Sequence, residues 1–302
     1  MDRFESMSTF VAVVEAGGFS AASRKLGMPL ATVSRKVSEL EEQLRVQLLV
    51  RSTRSIALTD TGREYFQTCR RLLEDLAEAE RLASGEYRAP KGSLIVAAPV
   101  VFGRTYLAPI IMEFLKAYPD IDIDIDLRLG DGPGNMIEEN THVAVRIGDL
   151  PDSGLIAVRA GDIRHVVCAS PEYIADRGAP RHPRDLAQHD CITLTPWESP
   201  TEWNFNSAKR PEKFPVHSRL AVTTAETALD AAVAGLGIAH LFCYQVSGAV
   251  AMGQLSVLMR EFEPPAFPVH LVYPSGRHVA LKLRAFLDFV LPRIKAKLVF
   301  SP

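Results

Sequence analysis

The sequence has no long apolar run. None of its apolar stretches approaches the ~20 residues of a membrane-spanning helix. Its first residues, Met-Asp-Arg-Phe-Glu, lack the charged-then-apolar order of a signal peptide. These absences predict a cytoplasmic protein that has no membrane partner.

Cysteine is scarce and scattered. The 4 cysteines include no Cys-x-x-Cys pair: Cys69, Cys168, Cys191 and Cys243. Ordinary buried thiols are the favoured interpretation, because free cysteine behaves as a small hydrophobic residue, and a redox-sensing pair is the alternative. The histidines show no short spacing typical of metal ligands, and no Ser/His/Asp set can be justified from residue order. We therefore expect no metal, no cofactor and no catalytic residue.

The chain is long enough for two or three domains and carries its basic charge locally. It has 302 residues, of which 47% are apolar and 23% are charged, and its net charge is −2. Between residues 24 and 54, however, 7 basic residues stand against 3 acidic ones, a local excess of +4. Such a basic surface on an acidic chain indicates a module that meets nucleic-acid phosphate with one end.

That basic region has the pattern of a helix-turn-helix. Ser20 is predicted to cap a short helix, and Gly27 supplies the left-handed residue of a sharp turn. Pro29 then begins a second helix. Its apolar residues recur at spacings of three and four and are predicted to bury one face: Leu30, Val33, Val37, Leu40 and Leu44. The residues left outside form the predicted recognition surface: Thr32, Ser34, Arg35 and Lys36.

A first helix and a wing complete this module. The first helix ends at Gly17-Gly18 and has an apolar stripe: Phe4, Met7, Phe10, Val11 and Val14. The wing spans Leu48 to Leu58, and in it Arg51 and Arg54 flank a polar Ser-Thr turn that can follow the DNA backbone.

A long helix is predicted to follow the wing, from about residue 60 to residue 84, with Thr59 as its cap. Its apolar positions alternate in spacings of four and three: Tyr65, Cys69, Leu72, Leu76, Ala79 and Ala83. The helix would be ~37 Å long, too long for a small winged helix to cover. We expect it to pair with a second copy; the alternative is a solitary helix lying on its own domain.

After a linker at Ser84-Gly85 and Ala89 to Gly92, short β-branched runs alternate with helical stretches, which predicts mostly parallel sheets with covering helices. The predicted strands are 94–98, 121–127, 143–147, 163–169, 191–195, 219–222 and 270–273. The predicted helices are near 103–117, 171–177, 225–234 and 278–296. Ligands of such sheets bind outside the carboxyl ends of the strands, so the turns after Ala98, Leu127 and Ile147 mark one candidate cleft.

Two acidic or glycine-rich segments do not support further sites. Asp120 to Asp126 alternates Asp with Ile but lacks the glycine and closing glutamate of a calcium loop. An amphipathic strand with its isoleucines inside is the better interpretation. Gly130 to Gly134 lacks the features of a P-loop or a dinucleotide fingerprint, which favours an ordinary loop.

The chain resembles a LysR-type transcriptional regulator over its full length. The N-terminal motifs are Phe10-Val-Ala-Val-Val-Glu-Ala-Gly-Gly-Phe-Ser20, Ala31-Thr-Val-Ser-Arg-Lys-Val and Leu58-Thr-Asp-Thr-Gly62. Val143-Ala-Val-Arg-Ile-Gly148 and Ala234-Gly-Leu-Gly-Ile-Ala239 are similar to the effector domain of the malate-regulator-like branch. The resemblance implies an α/β chain with a winged helix-turn-helix at 1–59, a dimerisation helix and hinge at 60–90, and a periplasmic-binding-protein-like effector domain at 91–302. The effector domain would have subdomain I at 91–162 plus 267–302 and subdomain II at 163–266.

The resemblance also implies which residues bind DNA. Ser34 and Arg35 would face the groove, with Leu30, Thr32 and Lys36 beside them, and Arg51 and Arg54 would contact phosphate. Arginine can read guanine bidentately, whereas lysine positions without reading. For Arg35 and Lys36, a simple solvated charge is the alternative.

The implied effector site lies between the two subdomains. Its residues in subdomain I are Pro99, Val100, Val101, Phe102 and Arg146, and those in subdomain II are Thr195, Pro196, Trp197, Thr223 and Thr224. Helix N-termini after Pro99 and Thr224 would favour an anion, so a small carboxylate is the preferred effector. A buried Arg146 needs either that anion or an acidic protein partner, and both readings stay open.

We therefore expect a homodimeric or homotetrameric regulator that binds double-stranded promoter DNA, responds to a small molecule and acts on RNA polymerase. Whether it activates, represses or does both is left open. The alternatives are a cytoplasmic solute-binding domain or an enzyme-like domain fused to the DNA-binding module.

Overall fold

The structure, a computed structural model, describes residues 2–51, 56–83, 90–128, 141–195, 201–207, 210–275 and 280–299. The chain forms two compact units, residues 1–89 and residues 90–302. Each unit has its own hydrophobic core. Within the described ranges, no helix is both long and apolar enough to cross a membrane.

The described part of the N-terminal unit is built from helices and one antiparallel strand pair. Its elements are α1 (Arg3–Glu15), α2 (Phe19–Leu26), α3 (Leu30–Leu44), β1 (Leu49–Arg51), β2 (Ile56–Leu58) and α4 (Asp60–Ala83). Gly27 ends α2 with φ 64°, in the left-handed region, which confirms the predicted turn. The predicted cap at Ser20 is wrong: α2 already begins at Phe19, because the extended Gly18 leads directly into its first turn.

Helices α1 to α3 pack around a small apolar core. Its buried residues are Met7, Phe10, Val11, Val13, Ala22, Val33, Val37, Leu40, Leu48, Leu49 and Cys69. Two residues predicted to belong to apolar faces are exposed instead, Phe4 at 52% and Leu30 at 48%. Each stands in the first turn of its helix, one turn before Met7 and Val33, the first buried apolar residues of α1 and α3.

The junction between the wing strands and α4 depends on Thr59 and Gly62. The Thr59 hydroxyl accepts a hydrogen bond from the Gly62 amide at 2.9 Å and donates one to the Gln47 carbonyl at 2.8 Å. This confirms Thr59 as the cap of α4. A Cβ atom on Gly62 would lie 2.0 Å from the Leu48 carbonyl oxygen, so only glycine permits this close approach.

The apolar residues predicted to form one stripe along α4, which we call the α4 seam, lie in two different environments. Tyr65 and Cys69 pack on the core of their own unit. Leu72 and Leu76 are exposed. Several predictions fall outside the residues whose structure or side chains are described: Ala79, Ala83, Ser84-Gly85, Ala89 and the loop 130–134.

The C-terminal unit is a mixed α/β structure. Its strands are β3 (Gly92–Pro99), β4 (Ile121–Arg128), β5 (Val143–Ile147), β6 (Leu155–Ile163), β7 (His165–Ala169), β8 (Asp190–Leu194), β9 (Glu202–Ser207), β10 (Arg210–Pro215), β11 (His217–Val222), β12 (Ile238–Phe242), β13 (Ser256–Leu258) and β14 (Phe267–Pro274). Its helices are α5 (Val100–Phe102), continued by a π-helical turn (Gly103–Leu107), α6 (Ala108–Ala117), α7 (Pro171–Arg177), α8 (Ala225–Val233), α9 (Cys243–Ala251) and α10 (Leu281–Val299). Short 3-10 turns lie at Pro183–Gln188 and Arg260–Phe262.

Most of these strands form two five-stranded sheets. Sheet I has the order β4-β3-β5-β14-β6, and sheet II has the order β11-β8-β12-β7-β13. In sheet I, β3 runs parallel to β4 and β5, whereas β14 runs antiparallel to β5 and β6. In sheet II, β8 runs parallel to β11 and β12, whereas β7 runs antiparallel to β12 and β13.

The prediction of mostly parallel sheets is therefore wrong. The chain passes between the sheets twice, from β6 to β7 at Arg164 and from β13 back to β14. A parallel neighbour requires a crossover connection, usually a helix. Strands β7 and β14 each follow a strand of the other sheet without such a crossover, and both run antiparallel to their neighbours. The predicted single strand 163–169 is accordingly the end of β6, a break at Arg164, and β7.

Several elements of the C-terminal unit escaped prediction. The hairpin β9–β10 buries Trp203, Phe205 and Phe214 against one face of sheet II. The alternation Glu-Trp-Asn-Phe-Asn at 202–206 was a strand signal for it. The strand predicted over the alternating aspartates is confirmed as β4, but it is an edge strand, and Ile125 and Leu127 on its expected inner face are exposed.

Candidate nucleic-acid interface and effector site

The outer face of α3 presents Arg35. At about 100° per residue, Arg35 lies about 160° around the helix from the buried Val33. Its side chain is 64% exposed, and its guanidinium donates a hydrogen bond to Glu39 at 2.7 Å, one turn further along. Thr32 and Ser34 are half-buried on the two flanks of this face, and Leu30 is exposed at its start. These four residues are therefore at least partly accessible on α3.

Lys36 does not share this surface. Its side chain is only 12% exposed, and its Nζ lies 2.5 Å from an Oε atom of Glu5 on α1. The prediction that Lys36 lies outside beside Arg35 is wrong. The reason is angular: Lys36 is only about 60° around the helix from Val33, close enough to the buried stripe to reach the neighbouring helix.

The first strand of the wing is held by a carboxylate of α3 that sequence reasoning missed. Glu41 on α3 accepts hydrogen bonds from the Leu48 and Leu49 amides at 2.8 and 3.0 Å. These bonds tie β1 to α3 and set where the wing leaves the helical core. In β1 the Arg51 backbone pairs with Ile56, whereas the Arg51 side chain and the whole of Arg54 lie outside the described residues.

In the C-terminal unit, Pro99 and four polar residues form a row across one face of sheet I, at the carboxyl ends of its parallel strands. Pro99 ends β3 and pairs with Arg128, the last residue of β4. On the other side of β3, Ala97 pairs with Ala144 of β5, and the same register continued by two residues puts Arg146 beside Pro99. His270 on β14 pairs with Arg146 and, on β6, with Arg159. Because residues paired across strands share a face, these five form what we call the sheet I row.

Carboxylates accompany the cations of this row. Arg128 donates to Asp126 through Nε at 2.7 Å, and Arg159 donates to Asp162 at 2.6 Å. Burial lowers the pKa of His270, and Arg159 lowers it further against the opposing effect of Asp162. His270 is therefore neutral at neutral pH. Of this row, sequence reasoning identified only Pro99 and Arg146; strand alternation could have found the rest only if the strand order were known.

The segment after β3 is more deeply buried than predicted. Phe102 is fully buried, and Val101 is 8% exposed, so neither side chain can line an open cleft; Val100 alone is half-buried. The Phe102 ring lies 5.3 Å from Tyr106 and 5.5 Å from Tyr244 of α9. The contacts between these rings connect the helical segment that follows β3 of sheet I to α9, which follows β12 of sheet II. The Val101 and Phe102 side chains therefore belong to the core, and the predicted effector contacts of these two residues would have to use their backbone amides.

The predicted threonines lie together at the carboxyl ends of β8 and β11. The Thr195 amide donates to the Val222 carbonyl at 2.7 Å. Thr223 is exposed, and Thr224 caps α8 by accepting from the Thr227 amide at 3.3 Å. The Thr224 hydroxyl is therefore engaged in a helix cap. Pro196 and Trp197 lie outside the described residues.

Comparison with protein families accounts for both units. Residues 4–63 match the model described as "Bacterial regulatory helix-turn-helix protein, lysR family", and residues 88–295 match the model described as "LysR substrate binding domain". The chain belongs to the LysR family. It is therefore a helix-turn-helix regulator of transcription that carries an effector-binding domain.

Individual LysR-family relatives match almost the whole chain. An HTH-type transcriptional repressor of Pseudomonas aeruginosa is 36% identical over 298 residues, which cover 96% of this chain and 92% of the relative. The regulator CrgA of Neisseria meningitidis is 37% identical over 292 residues, 96% of each chain. The activator AaeR of Escherichia coli is 31% identical over 293 residues, 95% of this chain and 93% of AaeR. Repressors and activators thus both occur among its relatives, and these relatives are regulators rather than enzymes.

Solved structures agree with the family assignment. A structure of CrgA from Neisseria meningitidis has a TM-score of 0.62 and 35% identity, and the match covers 96% of this chain and 98% of that one. A full-length AphB variant has a TM-score of 0.63 and 26% identity, with the same coverage. The fold, a helix-turn-helix followed by a two-sheet α/β domain, is that of LysR-type regulators.

The cysteines of this LysR-family chain are ordinary buried thiols, as predicted. All 4 are free and buried. Burial raises the pKa of Cys168 and of Cys191 to about 12, so neither forms a thiolate at neutral pH. Strand β12 separates their strands, and they contact different apolar clusters. Across two strand spacings, about 10 Å, a disulfide between them cannot form.

Proposed function

We propose that this LysR-family regulator reads promoter DNA through Arg35 and Ser34, with Leu30 and Thr32 beside them. Arg35 carries the proposal, because it is the long, exposed donor on the face of α3 opposite the core, and it can bond bidentately to guanine. Arg51 and Arg54 of the wing are proposed to contact phosphate. Lys36, which is covered and paired with Glu5, is left out of the interface.

Replacing Arg35 tests this interface. We expect Arg35→Ala to weaken binding to a selected duplex by about 1 to 3 kcal/mol and to relax sequence choice, because one bidentate base contact is lost. The duplex would be selected from a random pool with the full chain, and affinity measured on it and on random DNA. Arg63→Ala removes an equally exposed arginine that pairs with Asp60 on α4, and it should not alter sequence choice. Equal losses on both duplexes for Arg35→Ala would refute the reading role.

We infer further that the effector is a small anion, with a carboxylate preferred. It would bind at the carboxyl ends of the parallel strands in sheets I and II. The sheet I row supports this, since Arg128 and Arg146 flank the end of β3. The other proposed contacts are those predicted from the sequence: Pro99, Val100, Val101, Phe102, Thr195, Thr223 and Thr224. Pro196 and Trp197 remain part of the proposal, and a purely structural partner for Arg146 remains the alternative.

Arg146→Met tests the anion site. The full chain would be screened with a panel of small mono- and dicarboxylates for a rise in unfolding temperature. We expect Arg146→Met to abolish the rise caused by any active compound while leaving DNA binding intact. Arg219→Met removes a half-exposed arginine paired with Asp190 at the amino ends of the sheet II strands and should preserve the response. An unchanged response in Arg146→Met would remove this residue from the site.

For regulation, we propose a homodimer or homotetramer whose winged helices occupy paired half-sites. The exposed Leu72 and Leu76 on α4 support pairing through the seam. Effector binding would favour one arrangement of the two sheets and thereby shift the placement of the winged helices. We also propose that the protein contacts RNA polymerase and is cytoplasmic. The same proposal includes its membership of the malate-regulator-like branch and the domain bounds at residues 59 and 90. Footprinting should show two protected half-sites separated by whole helical turns, and a single protected site would contradict it.

A further inference from the structure

The ion pair between Glu5 and Lys36 joins α1 to the recognition helix. Lys36 Nζ lies 2.5 Å from the Glu5 carboxylate, and the two side chains are 12% and 43% exposed. Next to it in sequence, Arg35 is 64% exposed and pairs with Glu39, one turn further along the same helix. The two adjacent cations of α3 therefore have different environments: one points outward, and the other is held against a neighbouring helix.

This placement is unsuited to a phosphate contact. To reach DNA, the Lys36 ammonium would have to leave a carboxylate at contact distance and emerge from a largely covered position. Removing the Lys36 cation would also leave the partly covered Glu5 carboxylate without this partner. A DNA role for Lys36 must therefore act through the position of the helix.

The apolar contacts between α1 and α3 leave a need for such positioning. Val33, Val37 and Leu40 bury one face of α3 against the core, and apolar burial by itself has no preferred direction. A charge-assisted contact at the edge of that face has a required geometry. It lies beside Arg35 in sequence and one turn after Thr32, both on the proposed DNA surface.

We propose that Glu5 and Lys36 are positioning residues for DNA recognition. Their ion pair sets the rotation of α3 on α1, which aims Arg35 and Ser34 at the base edges. Lys36 itself touches no phosphate. The proposal deepens the DNA-reading role given above and concerns how that surface is held, so it can fail while the Arg35 test succeeds.

The test compares Lys36→Met, Glu5→Gln and the double variant in the full chain. Affinity is measured on the selected duplex and on a random duplex of equal length, between 50 and 200 mM salt. Titration at DNA concentrations far above Kd gives the folded, active fraction of each variant. We expect each single variant to lose about three- to tenfold on the selected duplex and to be unchanged on random DNA. The double variant should lose no more than either single variant, and all salt slopes should match that of the wild type.

A phosphate contact predicts different results. Lys36→Met would weaken both duplexes and reduce the salt slope by about 0.9, whereas Glu5→Gln would leave affinity unchanged or raise it. Either outcome would overturn the proposal. The exchanged pair, Glu5→Lys with Lys36→Glu, should restore the selected-duplex affinity to within about threefold of the wild type; failure to do so would also count against it. Glu15→Gln, which breaks the exposed Lys25–Glu15 pair between α1 and α2, is the matched control and should leave affinity unchanged.

Discussion

Acid should destabilise the C-terminal unit through His240. This residue lies within β12 of sheet II, fully covered among aromatic rings, with His165 at 4.1 Å, Trp203 at 5.2 Å and Phe205 at 5.5 Å between ring centroids. Burial lowers the pKa of His240 from 6.5 to about 3, because the imidazolium form would lose its hydration.

The size of the effect follows from the two pKa values. Unfolding restores a pKa near 6.5, so the unfolded chain binds a proton that the folded chain excludes. This contribution to stability is complete above pH 6.5 and is lost as pH falls towards 3. Between pH 8 and pH 5 it removes about 2 kcal/mol from the free energy of unfolding. That value does not depend on the folded pKa as long as it is well below 5, and carboxylates titrate mainly below this range.

Urea unfolding of the wild type and His240→Phe at pH 8 and pH 5 measures the effect. Both tryptophans of the chain, Trp197 and Trp203, lie in the C-terminal unit and report its unfolding. Whatever the cost of the substitution at pH 8, the wild type should lose about 2 kcal/mol more than His240→Phe on going to pH 5. The reasoning would be refuted if the free energies of unfolding of the wild type and His240→Phe differed by the same amount at both pH values.

Three further predictions concern packing, the connection between the sheets and the thiols. Gly62→Ala should lower the free energy of unfolding, measured by thermal melts, by about 2 kcal/mol or more, because the new Cβ would clash with the Leu48 carbonyl. Gly248→Ala, in an open part of α9, is the control and should be neutral or stabilising. Arg164 and Glu263 lie on the two connections between the sheets and pair at 2.7 Å, so Glu263→Gln should speed amide hydrogen exchange in both connections, and unchanged exchange would show that the pair does not restrain them. The 4 buried cysteines should resist a thiol reagent in the folded chain and react in urea, and a fast-reacting native thiol would contradict their inert character.

Features set by neighbours in sequence were predictable from the sequence. The turn at Gly27, the Thr59 cap and the helix at 171–177 all occur as predicted, because backbone conformation and capping depend on a few adjacent residues. The recognition helix and the exposure of Arg35 follow equally from apolar periodicity within one segment.

The sequence by itself thus determined the helix-turn-helix, the α/β character of the rest and the family. Tertiary structure alone decided that Lys36 meets Glu5, that half of the strand pairs in sheets I and II are antiparallel, and that Arg128 and His270 join Arg146 in the sheet I row. Each of these depends on which distant segment becomes a neighbour. A side chain's periodicity shows whether it can be buried, but the partner that covers it, and the direction in which a strand enters its sheet, are set by the long-range packing of the whole unit.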